Sequence, residues 1–307
     1  MYRKRSRKTA VILFLFLLIW VPVCLSAGML IALRSLGAAA SPKETVASPS
    51  SDPMPDATPT TTPLKITAAY RAFGTGLRLR GKEPKILIYH THTNEAYFPT
   101  EAMPYRESSR WRTADKERSV VAVGERLKTL LERDYGYSVL HDTTDHEPPK
   151  LSTAYERSEQ TMLTYLEKYP SLEVFIDLHR DAYGNDPKAP ADYITVNGEQ
   201  VARLMFVVGR GEAYADKPFY ETNRRFAERM TAYLNSIDPS FARPIREKKG
   251  RYNQHVGAYC LLIEVGHNAN TLEQALAAVP YLAEAIAYAS AETEHAVTSW
   301  VPGKIEN

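Results

Sequence analysis

His92 and Glu95 form a His-x-x-Glu pair just after a short apolar run, Ile86 to Tyr89. Imidazole and carboxylate at that spacing can converge on one ion where an extended chain turns. A second imidazole, His179, closes the apolar run that starts at Val174, and Glu264 lies inside the run Leu261 to Val265. Two imidazoles and one carboxylate are a catalytic zinc set that leaves a fourth position open. Zinc is preferred over magnesium because imidazole suits a borderline ion, whereas magnesium wants oxygen. Such an ion makes water acidic near neutral pH. Glu264 is then the carboxylate that takes the water's proton and passes it to a leaving nitrogen.

Alternatives stand beside this set. His90 shares parity with His92, so in an extended chain both rings point the way Ile86 and Ile88 do, and His90 is an alternate ligand. Glu117, at the start of the next helix, is an alternate to Glu95 as third ligand. Asp177, Arg180 and Asp181 flank His179 and would hold its second ring nitrogen or contact substrate. Taken singly, each residue has a plainer role. A lone histidine is usually a satisfied core or surface residue, the role expected of His141, His146 and His295. Likewise, His90 would donate a hydrogen bond around the site, Glu95 would cap the following helix or loop, and Glu264 would pair with Arg180. Burying a carboxylate such as Glu264 without strong compensation costs several kcal/mol. Three run ends carrying the same chemistry favour the metal centre.

These residues need strands to deliver them. Apolar runs at Ile86–Tyr89, 173–179 and 257–265 read as buried strands, and ligands collect at the C-terminal edge of strands in an open α/β sheet. Tyr137 to His141 reads as a further short strand. Helices are expected from about Asp115 or Lys116 to Arg133, from Ser152 to Tyr169, from Phe219 to Ile237, and from Thr271 onward, where Pro280 should kink or divide the last one. Residues 98–115 read as a long loop. Asn197-Gly198 reads as a tight turn between strands 193–196 and 199–208. Helices alternating with apolar strands predict an α/β fold with a mostly parallel twisted sheet covered by helices on both faces.

At 307 residues the chain has room for one or two domains, but its composition is unevenly spread. Residues 1–9 form a basic tail with Arg3, Lys4, Arg5, Arg7 and Lys8, a charge of +5 with no acid. Removing it from the formal net charge of +2 leaves about −3 for the remainder, so no basic groove argues for nucleic acid. Residues 10–33 are 24 uncharged, largely apolar residues, enough for a helix crossing a bilayer that needs ~20. The basic flank places the N-terminus in the cytoplasm and the rest outside it. A cleaved signal peptide is the competing reading, but its apolar part is normally only ~7–15 residues. Residues 34–64 are rich in Ala, Ser, Pro and Thr and read as a flexible linker. Residues 65–307 then form the catalytic domain. Cys24 lies in the apolar leader and Cys260 in a predicted buried strand, which excludes a disulfide framework and a cysteine-held zinc.

Six motifs occur in order: Ile88-Tyr-His-Thr-His-Thr-Asn-Glu-Ala-Tyr97, Val120-Val-Ala-Val-Gly124, His141-Asp-Thr-Thr144, Ile176-Asp-Leu-His-Arg-Asp-Ala182, Tyr252-Asn-Gln254 and Ile263-Glu-Val-Gly266. Together, over about Lys85 to Ser290, they resemble the stage II sporulation protein P (SpoIIP) family. The resemblance implies a zinc-dependent N-acetylmuramoyl-L-alanine amidase with a zinc amidase/exopeptidase-like fold. It would cut the amide between the lactyl group of muramic acid and the first alanine of the peptidoglycan stem peptide. It implies a role in septal wall thinning and engulfment during sporulation, beside a SpoIID-type lytic transglycosylase and a membrane partner. By motif, His92 and His179 become metal ligands and Glu264 the catalytic glutamate. The wider superfamily favours His92 over His90 and takes a carboxylate from a helix start, which keeps Glu117 open. His267 stands where an apolar residue is expected and would narrow the pocket. A zinc peptidase cutting stem peptides, and a non-catalytic membrane-anchored scaffold of a wall-remodelling complex, are the alternative functions.

Overall fold

The computed structural model describes residues 77–182 and 190–291. The expected tail, membrane anchor and linker, with His295, lie outside the described residues. Among the described residues no helix is long and apolar enough to cross a membrane.

Apolar runs buried along nearly their whole length build one six-stranded sheet. Its strands are β1 (Ile86–Tyr89), β2 (Val139–His141), β3 (Val174–Asp181), β6 (Leu204–Gly209), β7 (Arg246–Lys248) and β8 (Tyr259–His267), in the order β2-β1-β3-β8-β6-β7. The first four in that order run parallel, and β6 is antiparallel to β8, so the sheet is mostly parallel as expected. β4 (Tyr193–Val196) and β5 (Glu199–Ala202) form a separate antiparallel pair. Asn197 and Gly198 turn between them with φ of 51° and 83°, the positive values a two-residue hairpin turn requires. The strand expected over 199–208 is therefore broken at Arg203, its first half leaving the main sheet. Polar β7 carries no apolar signal, and the sequence reading misses it.

Four helices follow from the period-3.6 runs: α1 (Val120–Tyr135), α2 (Ala154–Lys168), α3 (Tyr220–Ile237) and α4 (Leu272–Ser290). The start expected near Asp115 is a separate 3-10 turn, Lys116–Arg118, capped by Asp115; α1 then begins afresh with Ser119 accepting from the Val121 N–H. Thr271 and Gln274 form a reciprocal capping box at α4. α4 runs on through Pro280 as one helix, so the expected division does not occur. Pro280 sits on the exposed side of α4.

The helices cover the two faces unequally. Ile86, Ile88, Val174, Ile176, Leu178, Ile263, Val265, Leu204 and Phe206 point to one face, where α1, α3 and α4 bury them. Leu87, Tyr89, Phe175 and Cys260 point to the other, against Met162, Tyr165 and Leu166 of α2. Farther along this second face, Met205, Val207 and Leu262 meet only the rings of Tyr155 and Tyr252. α2 covers β1, β3 and the start of β8, reaches β6 only through Tyr155 in its first turn, and leaves the cleft beside Glu264 open.

Candidate functional site

The open part of the sheet is where the polar strand residues gather. His179 of β3 and Glu264 of β8 are register partners, and so point to the same face side by side. Asp177, two residues before His179, shares that face. The ladder shifts register between His179 and Asp181, and Gly266 takes φ 65° beside the shift, a conformation glycine adopts without a Cβ penalty.

β1 ends at Tyr89, and residues 91–94 form turns. The parity argument for His90 and His92 fails for that reason. His90 continues the strand onto the α1 face, where Nδ1 meets the Leu178 carbonyl at 2.8 Å and Nε2 meets His141 Nε2 at 2.9 Å. The turn carries His92 to the opposite face, its ring edge-on to that of His179 with centroids 5.4 Å apart. Glu95 is brought in by the same turn, with Oε2 3.2 Å from His179 Nδ1. Glu117 is not brought in: its side chain is 87% exposed at the surface. The structure does not bring His90 or Glu117 to this group, whereas His92, Glu95 and His179 line one cavity with Glu264.

The remaining flanking residues divide their work. Asp177 Oδ1 lies 2.8 Å from His179 Nε2. Thr91 fixes that carboxylate, its N–H donating at 2.8 Å and its hydroxyl at 2.7 Å. The Thr91 hydroxyl meets Ser158 of α2, and Asn253 donates to the Ser158 hydroxyl. Arg180 donates its backbone N–H to Glu95 Oε2 at 3.1 Å, while its buried guanidinium serves the Ala96 and Trp111 carbonyls. Arg180 thus frames Glu95, and it also lines the cavity. Asp181 faces Arg243 at 2.9 Å and takes no part in holding His179. His267 is buried, with Nδ1 accepting from the Ala269 N–H, and is not among the cavity residues; the expected narrowing does not occur. His141 and His146 are satisfied partners of His90, as their plain readings held.

The charges here are strongly coupled. Burial alone would depress the His179 imidazole, but Asp177 and Glu95 outweigh it and push it well above its ordinary value. Burial alone would raise Glu95, but His179 and Arg180 hold it well below the carboxylate range. Asp177 follows the same balance, with His179 and Thr91 overriding burial. His92 is lowered to about 4 by burial and by the His179 charge. Glu264 is raised to about 8 by burial, which Glu95 and Asp181 reinforce and His179 opposes.

Among the described residues no group of three or more His, Cys, Asp or Glu is already drawn together around an ion's position. The donors nonetheless fit one. His92 Nδ1 and Glu264 Oε2 are buried without hydrogen-bond partners, and buried polar atoms left so are rare. The 3.2 Å between Glu95 Oε2 and His179 Nδ1 is close to the ~3.3 Å edge of a tetrahedron with ~2.0 Å bonds. Two imidazoles on one such ion place their centroids roughly 5 Å apart, near the separation seen. In the metal-free chain a proton on His179 balances the same carboxylates.

The cavity is an open cleft with about 590 Å³ of empty space, part of it continuous with solvent, lined also by Tyr155, Arg180, Asp181, Ala182, Val207, Arg246, Lys248, Tyr252 and Leu262. Of these Tyr155, Arg246 and Lys248 carry no local sequence signal. The Tyr252-Asn-Gln254 motif was legible as a motif but not in its role. Tyr252 and Asn253 adopt φ of 51° and 55°, and the three side chains diverge: Tyr252 into the cavity, Asn253 to α2, and Gln254 to the Val207 carbonyl and the Gly209 N–H of β6.

A model of the stage II sporulation protein P (SpoIIP) family matches residues 37–287. No curated protein matches the chain. Among solved structures, the N-acetylmuramoyl-L-alanine amidase AmiC2 of Nostoc punctiforme aligns at 16% identity over 68% of this chain and 97% of its own, with a TM-score of 0.38. The CwlD amidase from Clostridioides difficile, solved with the GerS lipoprotein, aligns at 14% identity over 68% and 95%, with a TM-score of 0.40. At that level of superposition the likeness carries no inference about activity. The family match spans most of the chain and contains every cavity residue: this chain belongs to the stage II sporulation protein P family.

Proposed function

We propose that this chain is a zinc-dependent N-acetylmuramoyl-L-alanine amidase that hydrolyses peptidoglycan. The observation that carries the reading is the pairing of His179 with Glu264 in register on the uncovered sheet face, where one turn delivers His92 and Glu95 into the same cavity. His92, Glu95 and His179 would hold the ion, and zinc supplies a Lewis acid that polarises the amide carbonyl and makes water acidic. Asp177 lies against the His179 ring as its charge partner, and the Arg180 N–H fixes Glu95. Such outer contacts set the ring's tautomer and orientation.

Glu264 has the environment of a proton shuttle. Its carboxyl is held near neutral pH, at about 8, and a cation beside it favours the ionised form. Ionised, it takes a proton from the attacking water while the water oxygen bonds to the lactyl carbonyl carbon. It then returns that proton to the alanine nitrogen as the C–N bond breaks. The products are a lactyl carboxylate on the glycan and a stem peptide with a free amino-terminal alanine. Tyr155 and Tyr252 wall the cleft beside these groups.

The same reading places the catalytic domain outside the cytoplasm, tethered by residues 10–33 through the linker at 34–64. It works there in septal wall thinning, alongside a SpoIID-type lytic transglycosylase and a membrane partner. Mass spectrometry of purified sacculi digested by the full-length chain tests the reaction. Release of whole stem peptides from otherwise intact glycan strands is expected. Shortened peptides still joined to muramic acid would replace the amidase with a peptidase, and no release would favour a scaffold.

A further inference from the structure

We propose that Arg246 and Lys248 form a carboxylate-binding subsite of this cleft, which grips an acidic group of the stem peptide several residues beyond the bond to be cut. The ligand's identity rests on the amidase reading; the subsite rests on β7. Residues two apart on a strand share a face, and both cations line the cavity with Val207 and Leu262. Arg246 is the register partner of Val207, and Val207 that of Leu262, two residues before Glu264. Strands lie ~4.8 Å apart and rise ~3.3 Å per residue. The Arg246 backbone is therefore about 12 Å from that of Glu264, and Lys248 about 16 Å. An extended peptide covers ~3.3–3.6 Å per residue, so a chain leaving the cut bond across the open sheet meets the cations after about three to five residues.

Charge is divided along this path. Glu95, Asp177 and Glu264 crowd one end, the cations stand at the other, and Asp181 lies between them. Arg246 is 3.6 Å from Asp181, at the margin of an ion pair that Arg243 already holds at 2.9 Å. Lys248 forms no ion pair among the described residues, whereas its neighbour Lys249 turns away to Glu212. A half-buried ammonium and a guanidinium above an apolar floor suit a carboxylate on a peptide lying along the sheet. Stem peptides carry such carboxylates beyond the first, uncharged alanine.

The test titrates the full-length Glu264→Gln chain with a synthetic muramoyl tetrapeptide bearing free carboxylates, and with its fully amidated analogue. The acidic peptide should bind about tenfold more tightly, a difference of ~1.4 kcal/mol, and the advantage should shrink as salt is raised. Adding Arg246→Met and Lys248→Met together should make the two ligands bind alike; the retained binding of the amidated peptide reports that the double variant is folded. Lys249→Met should keep the full preference. A preference unchanged by the double substitution overturns the subsite. Digestion of the same peptides by the unsubstituted chain separates the two ideas. Cleavage with a preference indifferent to β7 removes the subsite alone, and charge-dependent binding without any cleavage removes the amidase alone.

Discussion

His90 and His92 stand two residues apart and finish on opposite faces of one sheet, in surroundings that make one structural and the other available for chemistry. Both are held neutral, His90 at about 3 by burial and by His141, His92 at about 4 by burial and by His179. The His90 ring is sealed, and each of its nitrogens has a partner in Leu178 or His141. The His92 ring reaches an open cavity and keeps Nδ1 unpartnered. The difference lies in the cover. Three helices close the face that His90 joins, whereas α2 alone covers the other and reaches the β8–β6 part only through its first turn, at Tyr155. A titratable group becomes reactive here where the packing layer ends.

That contrast can be broken from either side. The largest effect belongs to Glu264→Gln, which keeps size and register but cannot carry a proton; turnover on sacculi should fall by about a thousandfold or more while the melting transition stays in place. Next, His179→Ala should cost the metal-free protein about 3–5 kcal/mol in denaturant unfolding, because two buried carboxylates lose their shared counter-charge. His92→Ala should cost far less, since its unpartnered nitrogen leaves nothing stranded. Equal losses from the two would mean that the apo cluster is not organised by His179.

The sealed face should respond in stability and not in chemistry. A Cβ on Gly124 of α1 would lie 2.7 Å from His141 Nε2 and 2.9 Å from the His90 ring. Gly124→Ala gains helix propensity of ~1 kcal/mol, but overpacking costs ~1–3 kcal/mol. A net loss of up to about 2 kcal/mol in unfolding experiments, with unchanged cleavage per folded molecule, is expected. The smallest effect is at Glu284 of α4, which burial raises against the hydrogen bond from the Tyr233 hydroxyl. A carboxyl raised in the folded state favours its neutral form, so its contribution is fully present at acid pH. That contribution is lost as pH rises through the ordinary carboxylate value toward the folded one. Glu284→Gln should therefore stabilise the protein by about 1 kcal/mol or less at pH 7 and not at pH 4, as thermal melts at the two pH values would show.

Much of this was legible from residues alone. The strands holding Ile86–Tyr89, Val174–His179 and Leu261–Val265 announce themselves because buried parallel strands are continuous apolar runs. His92, His179 and Glu264 were legible because polar chemistry interrupts or ends those runs. What hid was set by tertiary context. His90 and His92 look equivalent until the chain turns after Tyr89, and Glu117 looks available until Asp115 and Ser119 cap separate turns around it. β7 is Arg-Glu-Lys and forms a strand only because β6 offers it an edge. Thr91, Ser158 and Asn253 are ordinary polar residues whose link to Asp177 exists only after α2 docks.

The central claim is that two imidazoles and a carboxylate from two distant segments share one ion. X-ray absorption spectroscopy on the full-length chain loaded with zinc reads that coordination directly. The account predicts a four-coordinate, sulfur-free site with two imidazoles, reduced to one in His92→Ala and in His179→Ala alike. A zinc spectrum unaltered by either substitution would contradict it.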